Sequence, residues 1–192
     1  MNMPNKLTIF RIILSPVFLL FLITDTIPFH YIFALIIFII ASITDMIDGN
    51  LARKNNQITD FGKFLDPLAD KILVAAALVG FVELNLISSW FAVIILTREF
   101  LVSSLRLVVA GSGTVIAASL WGKLKTTFTL ISIILILTLQ STAMLFNLTS
   151  NTAVMSVFYW VGTFFIAVST VFTIISGAQY LSEHRHHVDV KK

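Results

Sequence analysis

The sequence predicts an all-α, polytopic membrane protein whose six transmembrane helices form a single domain over residues 1–192. Of these residues 57% are hydrophobic and only 12% are charged, whereas soluble domains carry about 25% charged residues. The apolar residues form long runs with short polar connections, as membrane-spanning helices require. This composition argues against a soluble domain or a disordered chain, and a net charge of +3 is too small for a basic nucleic-acid-binding face.

Six segments approach the about 20 mostly apolar residues that a helix needs to cross a bilayer. The second segment ends in acidic residues, and the third begins with polar residues. The fourth has charged residues in its second half. Apart from one lysine, the fifth and sixth contain no charged residue. No small-residue cleavage site follows the first run, so we expect a retained helix rather than a signal peptide. The predicted spans are Leu7–Ile23, Tyr31–Ile47, Asp70–Phe81, Ser88–Ala110, Leu124–Leu145 and Val154–Ile175.

The basic residues predict the orientation of these spans. All 13 Lys and Arg residues lie near the N-terminus, between spans two and three, between the middle of span four and span five, or in the tail. The connections at residues 24–30, 83–88 and 140–153 contain none. Six spans therefore place every basic residue on one side, which the positive-inside rule identifies as cytoplasmic. We expect a multi-pass protein of the cell membrane with both termini in the cytoplasm.

Four aspartates at the predicted cytoplasmic boundary are the strongest candidates for chemistry. Asp45 and Asp48 are three residues apart, and Asp66 and Asp70 are four apart, so each pair shares one face of a helix. Four converging carboxylates would repel one another, and divalent cations such as Mg²⁺ or Mn²⁺ relieve this repulsion. The alternative is that they form boundary ion pairs with the basic residues Arg53, Lys63 and Lys71.

The segment that holds these aspartates resembles the signature of the CDP-alcohol phosphotransferase family, D-x2-D-G-x2-A-R-x8-G-x3-D-x3-D. The length and predicted span number also fit that family, so the resemblance covers essentially the whole chain and implies the family's fold. All eight fixed residues are present with the correct gaps: Asp45, Asp48, Gly49, Ala52, Arg53, Gly62, Asp66 and Asp70.

The resemblance implies transfer of a phosphatidyl or similar group from a CDP-linked donor to an alcohol, with release of CMP. It implies that Asp45, Asp48, Asp66 and Asp70 hold two divalent ions, Mg²⁺ or Mn²⁺, and that Asp70 is the general base. It also implies a homodimer. For Asn5 and Thr8, the alternative role is N-capping of the first helix. The residues implied to contact CDP-diacylglycerol are Asn5, Thr8, Gly49, Ala52, Arg53 and Thr59.

Basic residues outside the signature predict a phosphorylated acceptor, because an arginine buried without an anion is costly. Glu99 could pair with Arg98. By contrast, Arg106, Lys123 and Lys125 have no acidic residue nearby in sequence. The alternative is that these side chains extend to the interface without binding a ligand. The candidates for binding the acceptor phosphate are Arg106, Lys123, Lys125, Arg11 and Arg98.

Four fragments are most similar to family members that use sn-glycerol 3-phosphate as the acceptor. The implied reaction transfers the phosphatidyl group from CDP-diacylglycerol to this alcohol and gives phosphatidylglycerol phosphate and CMP. Alternatives are the same family with another acceptor, phosphatidylglycerol or inositol phosphate, and a small metal or proton transporter. A transporter is expected to carry its carboxylates near the middle of the membrane. The fragments are residues 4–11, 62–71, 98–100 and 122–126.

Overall fold

The computed structural model describes the backbone of residues 3–54, 60–111 and 120–184. It describes the side chains of residues 6–44, 65, 68–69, 71–106 and 120–183. These residues form α-helices joined by short connections, with a single 3-10 turn at Leu148–Ser150 and no β-strand among them. The helices are α1 (Met3–Ile23), α2 (His30–Lys54), α3 (Asp60–Glu83), α4 (Ser89–Gly111), α5 (Leu120–Leu145) and α6 (Thr152–His184).

Each predicted span lies almost entirely within one of these helices, so the predicted all-α fold is confirmed for the described residues. The largest difference is at α3, which begins at Asp60 rather than near Asp70. The polar residues of its first three turns lower the hydropathy without breaking the helix. Pro67 falls within these turns, and the helix continues through it.

Within the part of the chain that the structure describes, three helical segments are long and apolar enough to cross a membrane: Lys6–Ile23, Leu120–Leu145 and Thr152–Glu183. A shorter apolar segment, His30–Thr44, forms the first part of α2. Many large apolar side chains on these helices are exposed, among them Leu20, Ile36 and Phe164. Exposed apolar faces on long apolar helices are what a lipid-facing surface requires, so these features support a membrane protein.

The helices pack as two groups that share one apolar core. α1 packs against α2 and α3, while α5 packs most extensively against α6. α2 also contacts α5, and α4 packs against α6 and α3, which joins the groups. Within the core, the rings of Phe18 and Phe38 lie 5.5 Å apart, centroid to centroid, and both side chains are fully buried. This packing brings α4, α5 and α6 together beside the aspartate-bearing helices.

Gly80 lies where α3 packs closely against α1. A Cβ atom at this position would lie 2.5 Å from Leu22 Cδ2 and 3.0 Å from Leu19 Cδ1. Leu22 is itself fully buried in the core. Small residues allow helices in membranes to approach this closely.

We therefore expect Gly80→Val to destabilise the fold by about 1–3 kcal/mol, the usual cost of overpacking a core. The measurement is the thermal unfolding temperature of the purified protein in detergent. Val79→Leu is the matched control, because Val79 is the preceding residue on α3 and is about half exposed. An unfolding temperature for Gly80→Val equal to that of the wild type would contradict the close packing of α1 and α3.

Candidate active site

The proposed metal-binding aspartates lie on two helices that contact each other. Asp45 and Asp48 are in α2, Asp66 and Asp70 are in α3, and both stretches of backbone are helical. Because the residues of each pair are three or four apart in sequence, each pair lies on one face of its helix. The side chains of all four lie outside the described residues. Among the described side chains, no group of three or more His, Asp or Glu residues could hold a metal ion.

Most of the proposed donor-binding residues also lie outside the described side chains. Asn5 belongs to α1, and Gly49, Ala52 and Arg53 belong to α2, but the structure describes only their backbone. Thr59 lies outside the described residues altogether.

Thr8 and Arg11 lie one helical turn apart on the inward face of α1. Thr8 is fully buried, and Arg11 is only 1% exposed. α1 begins at Met3, more than one turn before Thr8, so an N-capping role for Thr8 is wrong. The two residues instead present a hydroxyl and a guanidinium to the interior at the N-terminal end of α1, which packs against both aspartate-bearing helices.

An ion cluster joins α4 and α5. Glu99 of α4 accepts a short hydrogen bond from the ammonium of Lys125 on α5, and its Oε1 lies 3.3 Å from Arg98 Nη1. The side chains of Lys125, Arg98 and Glu99 are 5%, 14% and 17% exposed. These three residues form the α4–α5 ion cluster. Because α3 packs against α4, the cluster lies on a neighbour of the helix that carries Asp66 and Asp70.

α6 supports the two arginines of α4. A Cβ atom at Gly177 would lie 3.1 Å from Arg98 Cγ, so the arginine stem packs directly over this glycine. One turn further along α6, the ring of Tyr180 lies 5.9 Å from Arg106 Cζ, within cation–π range. Arg106 and Lys123 are exposed, in contrast to Lys125.

Buried hydroxyls hold α5 against α6 next to this cluster. The Thr129 and Ser169 hydroxyl oxygens lie 2.7 Å apart, and the Thr129 hydroxyl also hydrogen-bonds to the Lys125 carbonyl at 2.9 Å. A buried hydrogen bond between helices favours one register of packing. Lys125 is therefore held at two points: Glu99 of α4 binds its ammonium, and Thr129, paired with Ser169 of α6, binds its backbone carbonyl.

Sequence reasoning missed three residues of this site: Glu99 as the partner of Lys125, together with Gly177 and Tyr180. The last two are three residues apart, which places them on one face of α6. Their spacing near the end of an apolar helix was the only signal in the sequence. That signal was not enough, because the sequence does not indicate which helix packs against α6.

Comparison with known proteins identifies the family of this chain. The family model for CDP-alcohol phosphatidyltransferase matches residues 1–175. The chain belongs to this family. A relative from Bacillus subtilis (strain 168), named CDP-diacylglycerol–glycerol-3-phosphate 3-phosphatidyltransferase, is 41% identical, and the match covers 95% of each chain. A relative from Escherichia coli (strain K12) with the same name is 38% identical over 96% of this chain and 95% of its own.

A shorter match is to a probable phosphatidylglycerophosphate synthase of Mycobacterium tuberculosis (strain H37Rv), which is 46% identical over 65% of this chain and 60% of its own. CDP-alcohol phosphatidyltransferases are membrane enzymes that generally depend on a divalent cation. Membership of this family favours a transferase over the metal or proton transporter considered from the sequence.

Proposed function

We propose that this protein is a CDP-diacylglycerol–glycerol-3-phosphate 3-phosphatidyltransferase, an enzyme of phospholipid biosynthesis. It transfers the phosphatidyl group from CDP-diacylglycerol to sn-glycerol 3-phosphate and yields phosphatidylglycerol phosphate and CMP. The observation that carries this proposal is the similarity, over nearly the whole chain, to the relatives from B. subtilis and E. coli with that name. A largely buried pair of cations beside the aspartate-bearing helix supports a phosphorylated acceptor.

In the proposed reaction, the 1-hydroxyl oxygen of glycerol 3-phosphate attacks the phosphorus that carries diacylglycerol. The new P–O bond forms as the bond to CMP breaks, and the hydroxyl proton passes to the Asp70 carboxylate. Hard carboxylate oxygens suit Mg²⁺ or Mn²⁺, and the ligands would be Asp45, Asp48, Asp66 and Asp70. When bound, two such ions would neutralise charge on the donor pyrophosphate.

The proposed donor site lies where α1 meets α2 and α3. Gly49 and Ala52 leave space for the cytidine nucleotide, and Arg53 binds a donor phosphate through charge-assisted hydrogen bonds. Asn5, Thr8 and Thr59 contact the rest of the nucleotide. The burial of Thr8 on a helix that packs against both α2 and α3 supports this arrangement.

The proposed acceptor site lies at the α4–α5 ion cluster. Arg98 and Lys125 together carry two positive charges against the single negative charge of Glu99, so an anionic ligand would complete the charge balance. The packing of α4 against α3, the helix that carries Asp70, supports an acceptor site near the proposed base. The other proposed acceptor-binding residues are Arg11, Arg106 and Lys123.

We also propose that all six helices cross the membrane and that both termini and the active site face the cytoplasm. The support is the absence of Lys and Arg from the three connections at residues 24–30, 83–88 and 140–153, which the positive-inside rule assigns to the outer side. A homodimer within the cell membrane is proposed from the family resemblance alone.

Cysteine labelling tests this topology cleanly, because the chain has no cysteine of its own. We expect Thr26→Cys, Glu83→Cys and Ser150→Cys to react with a membrane-impermeant maleimide in intact cells. Ser182→Cys should react only after the cells are opened. All four positions are exposed, so access depends on the side of the membrane. Labelling of Ser182→Cys in intact cells would contradict the orientation, and protection of Glu83→Cys would contradict the six spans.

An acceptor screen tests the proposed activity. Purified protein in detergent receives CDP-diacylglycerol and Mg²⁺ with one alcohol at a time, and CMP release is measured. We expect release with sn-glycerol 3-phosphate and not with serine, inositol phosphate or phosphatidylglycerol. Release only with another of these alcohols would overturn the proposed acceptor while retaining the family chemistry.

A further inference from the structure

Glu99 binds two cations that come from different helices. Both Lys125 of α5 and Arg98 of α4 contact the same carboxylate oxygen, Oε1. Lys125 is 26 residues from Glu99 in sequence, so this contact depends on the tertiary arrangement of the helices, in which α4 and α5 both pack against α6. The carboxylate therefore links α4 to α5 through the largely buried side chain of Lys125.

The lysine depends on this contact for its position. A lysine ammonium sits at the end of a flexible four-carbon stem and has no planar group to orient it. It therefore keeps one position only where a partner holds it. The Lys125 backbone is fixed by the hydrogen bonds between α5 and α6, while Glu99 fixes the ammonium at the other end. With both ends held and 5% of the side chain exposed, the ammonium occupies one place.

The cluster can still donate hydrogen bonds to a further anion. Its two cations share one carboxylate, so one positive charge is not neutralised within the group. Arg98 Nε is buried and has no hydrogen-bond partner among the described residues. The stem of Arg98 packs over Gly177 of α6. A phosphate is an anion of suitable charge and acceptor geometry for such a pair.

We propose that Glu99 is a positioning residue of the acceptor site: it holds the ammonium of Lys125 where that ammonium binds the phosphate of the acceptor. This inference rests on the proposed function. Glu99 does not contact the substrate; it acts through Lys125. The competing explanation is that Glu99 only neutralises charge inside the bundle, which predicts a loss of stability without a change in acceptor affinity.

A double-mutant cycle separates these explanations. Glu99→Gln removes the charge and keeps the shape, Lys125→Met removes the ammonium and keeps the apolar stem, and the double variant combines them. The KM values for sn-glycerol 3-phosphate and for CDP-diacylglycerol are measured separately on full-length protein that elutes as a folded species. Glu183→Gln is the matched control, because Glu183 is an exposed carboxylate near the end of α6 that accepts a hydrogen bond from Gln179.

We expect Glu99→Gln to raise the acceptor KM about tenfold, the size expected for loss of one charge-assisted hydrogen bond, with little change in donor KM. The double variant should have the acceptor KM of Lys125→Met alone, because Glu99 acts only through that lysine. Glu183→Gln should match the wild type.

An unchanged acceptor KM in Glu99→Gln, an equal rise in both KM values, or independent effects in the double variant would each overturn the proposal. Should Glu99→Gln fail to fold, Glu99→Asp retains the charge on a shorter side chain, and its acceptor KM decides in the same way. A wild-type protein that releases no CMP with glycerol 3-phosphate is a different result, because it contradicts the proposed function itself.

Discussion

Asp70→Asn is expected to give a folded protein whose rate of phosphatidyl transfer is reduced at least about 100-fold, the lower part of the range for loss of a general base. The amide has nearly the shape of the carboxylate but cannot accept the proton of the attacking hydroxyl. It is also a poor ligand for a divalent cation compared with a carboxylate. The measurement is CMP release from CDP-diacylglycerol with saturating glycerol 3-phosphate, on protein that elutes from size-exclusion chromatography as the wild type does.

Asp25→Asn is the matched control for this variant. Asp25 is an exposed aspartate in the connection between α1 and α2, at the opposite end of these helices from the aspartate cluster. The same chemical change there should leave the rate at the wild-type value. Near-normal turnover of Asp70→Asn would remove Asp70 as the base, whatever happens to the control.

Lys125→Ala is expected to raise the KM for glycerol 3-phosphate about 10–100-fold, because hydrogen bonds to charged groups contribute about 1.5–3 kcal/mol. The KM for CDP-diacylglycerol should change much less. Arg106→Ala should act in the same direction with a smaller effect, since Arg106 is exposed and exposed charges interact weakly. Initial rates measured while each substrate is varied in turn give the two KM values.

Thr126→Ala provides the control for Lys125→Ala. Thr126 is the next residue of α5, is exposed, and donates its hydroxyl to the Gly122 carbonyl of its own helix. Its loss should alter neither KM value. Equal rises in the two KM values of Lys125→Ala would indicate general damage to the enzyme and would count against the acceptor site.

Most of the helices were predictable because their apolar runs are long and are bounded by polar residues. The start of α3 was not, because the helix continues through charged residues that hydropathy assigns to a connection. Whether a polar segment stays helical depends on what it packs against and which ligands it holds, and neither is visible in hydropathy. The same polar segment carries Asp66 and Asp70, so the boundary was hardest to predict where the candidate chemistry lies.

The sequence predicted candidate residues for the site, but only part of how they are arranged in space. Signature spacing and the clustering of basic residues selected candidates such as Arg98 and Lys125. They could not show that Glu99 joins these two residues, because the contact with Lys125 depends on how α4 and α5 are arranged in the folded protein. The packing of Arg98 over Gly177 of α6 depends on a second helix pair in the same way. Contacts between helices distant in sequence follow from tertiary packing rather than from local pattern.

The transfer of label from sn-glycerol 3-phosphate into lipid tests the central claim most directly. Purified wild-type protein is incubated with CDP-diacylglycerol, Mg²⁺ and radiolabelled glycerol 3-phosphate, and both the organic-phase label and the CMP are quantified. The proposed function predicts a labelled lipid that is phosphatidylglycerol phosphate, formed in equal amount to the CMP released. CMP release without label in the lipid, or no release at all with this acceptor, would contradict it.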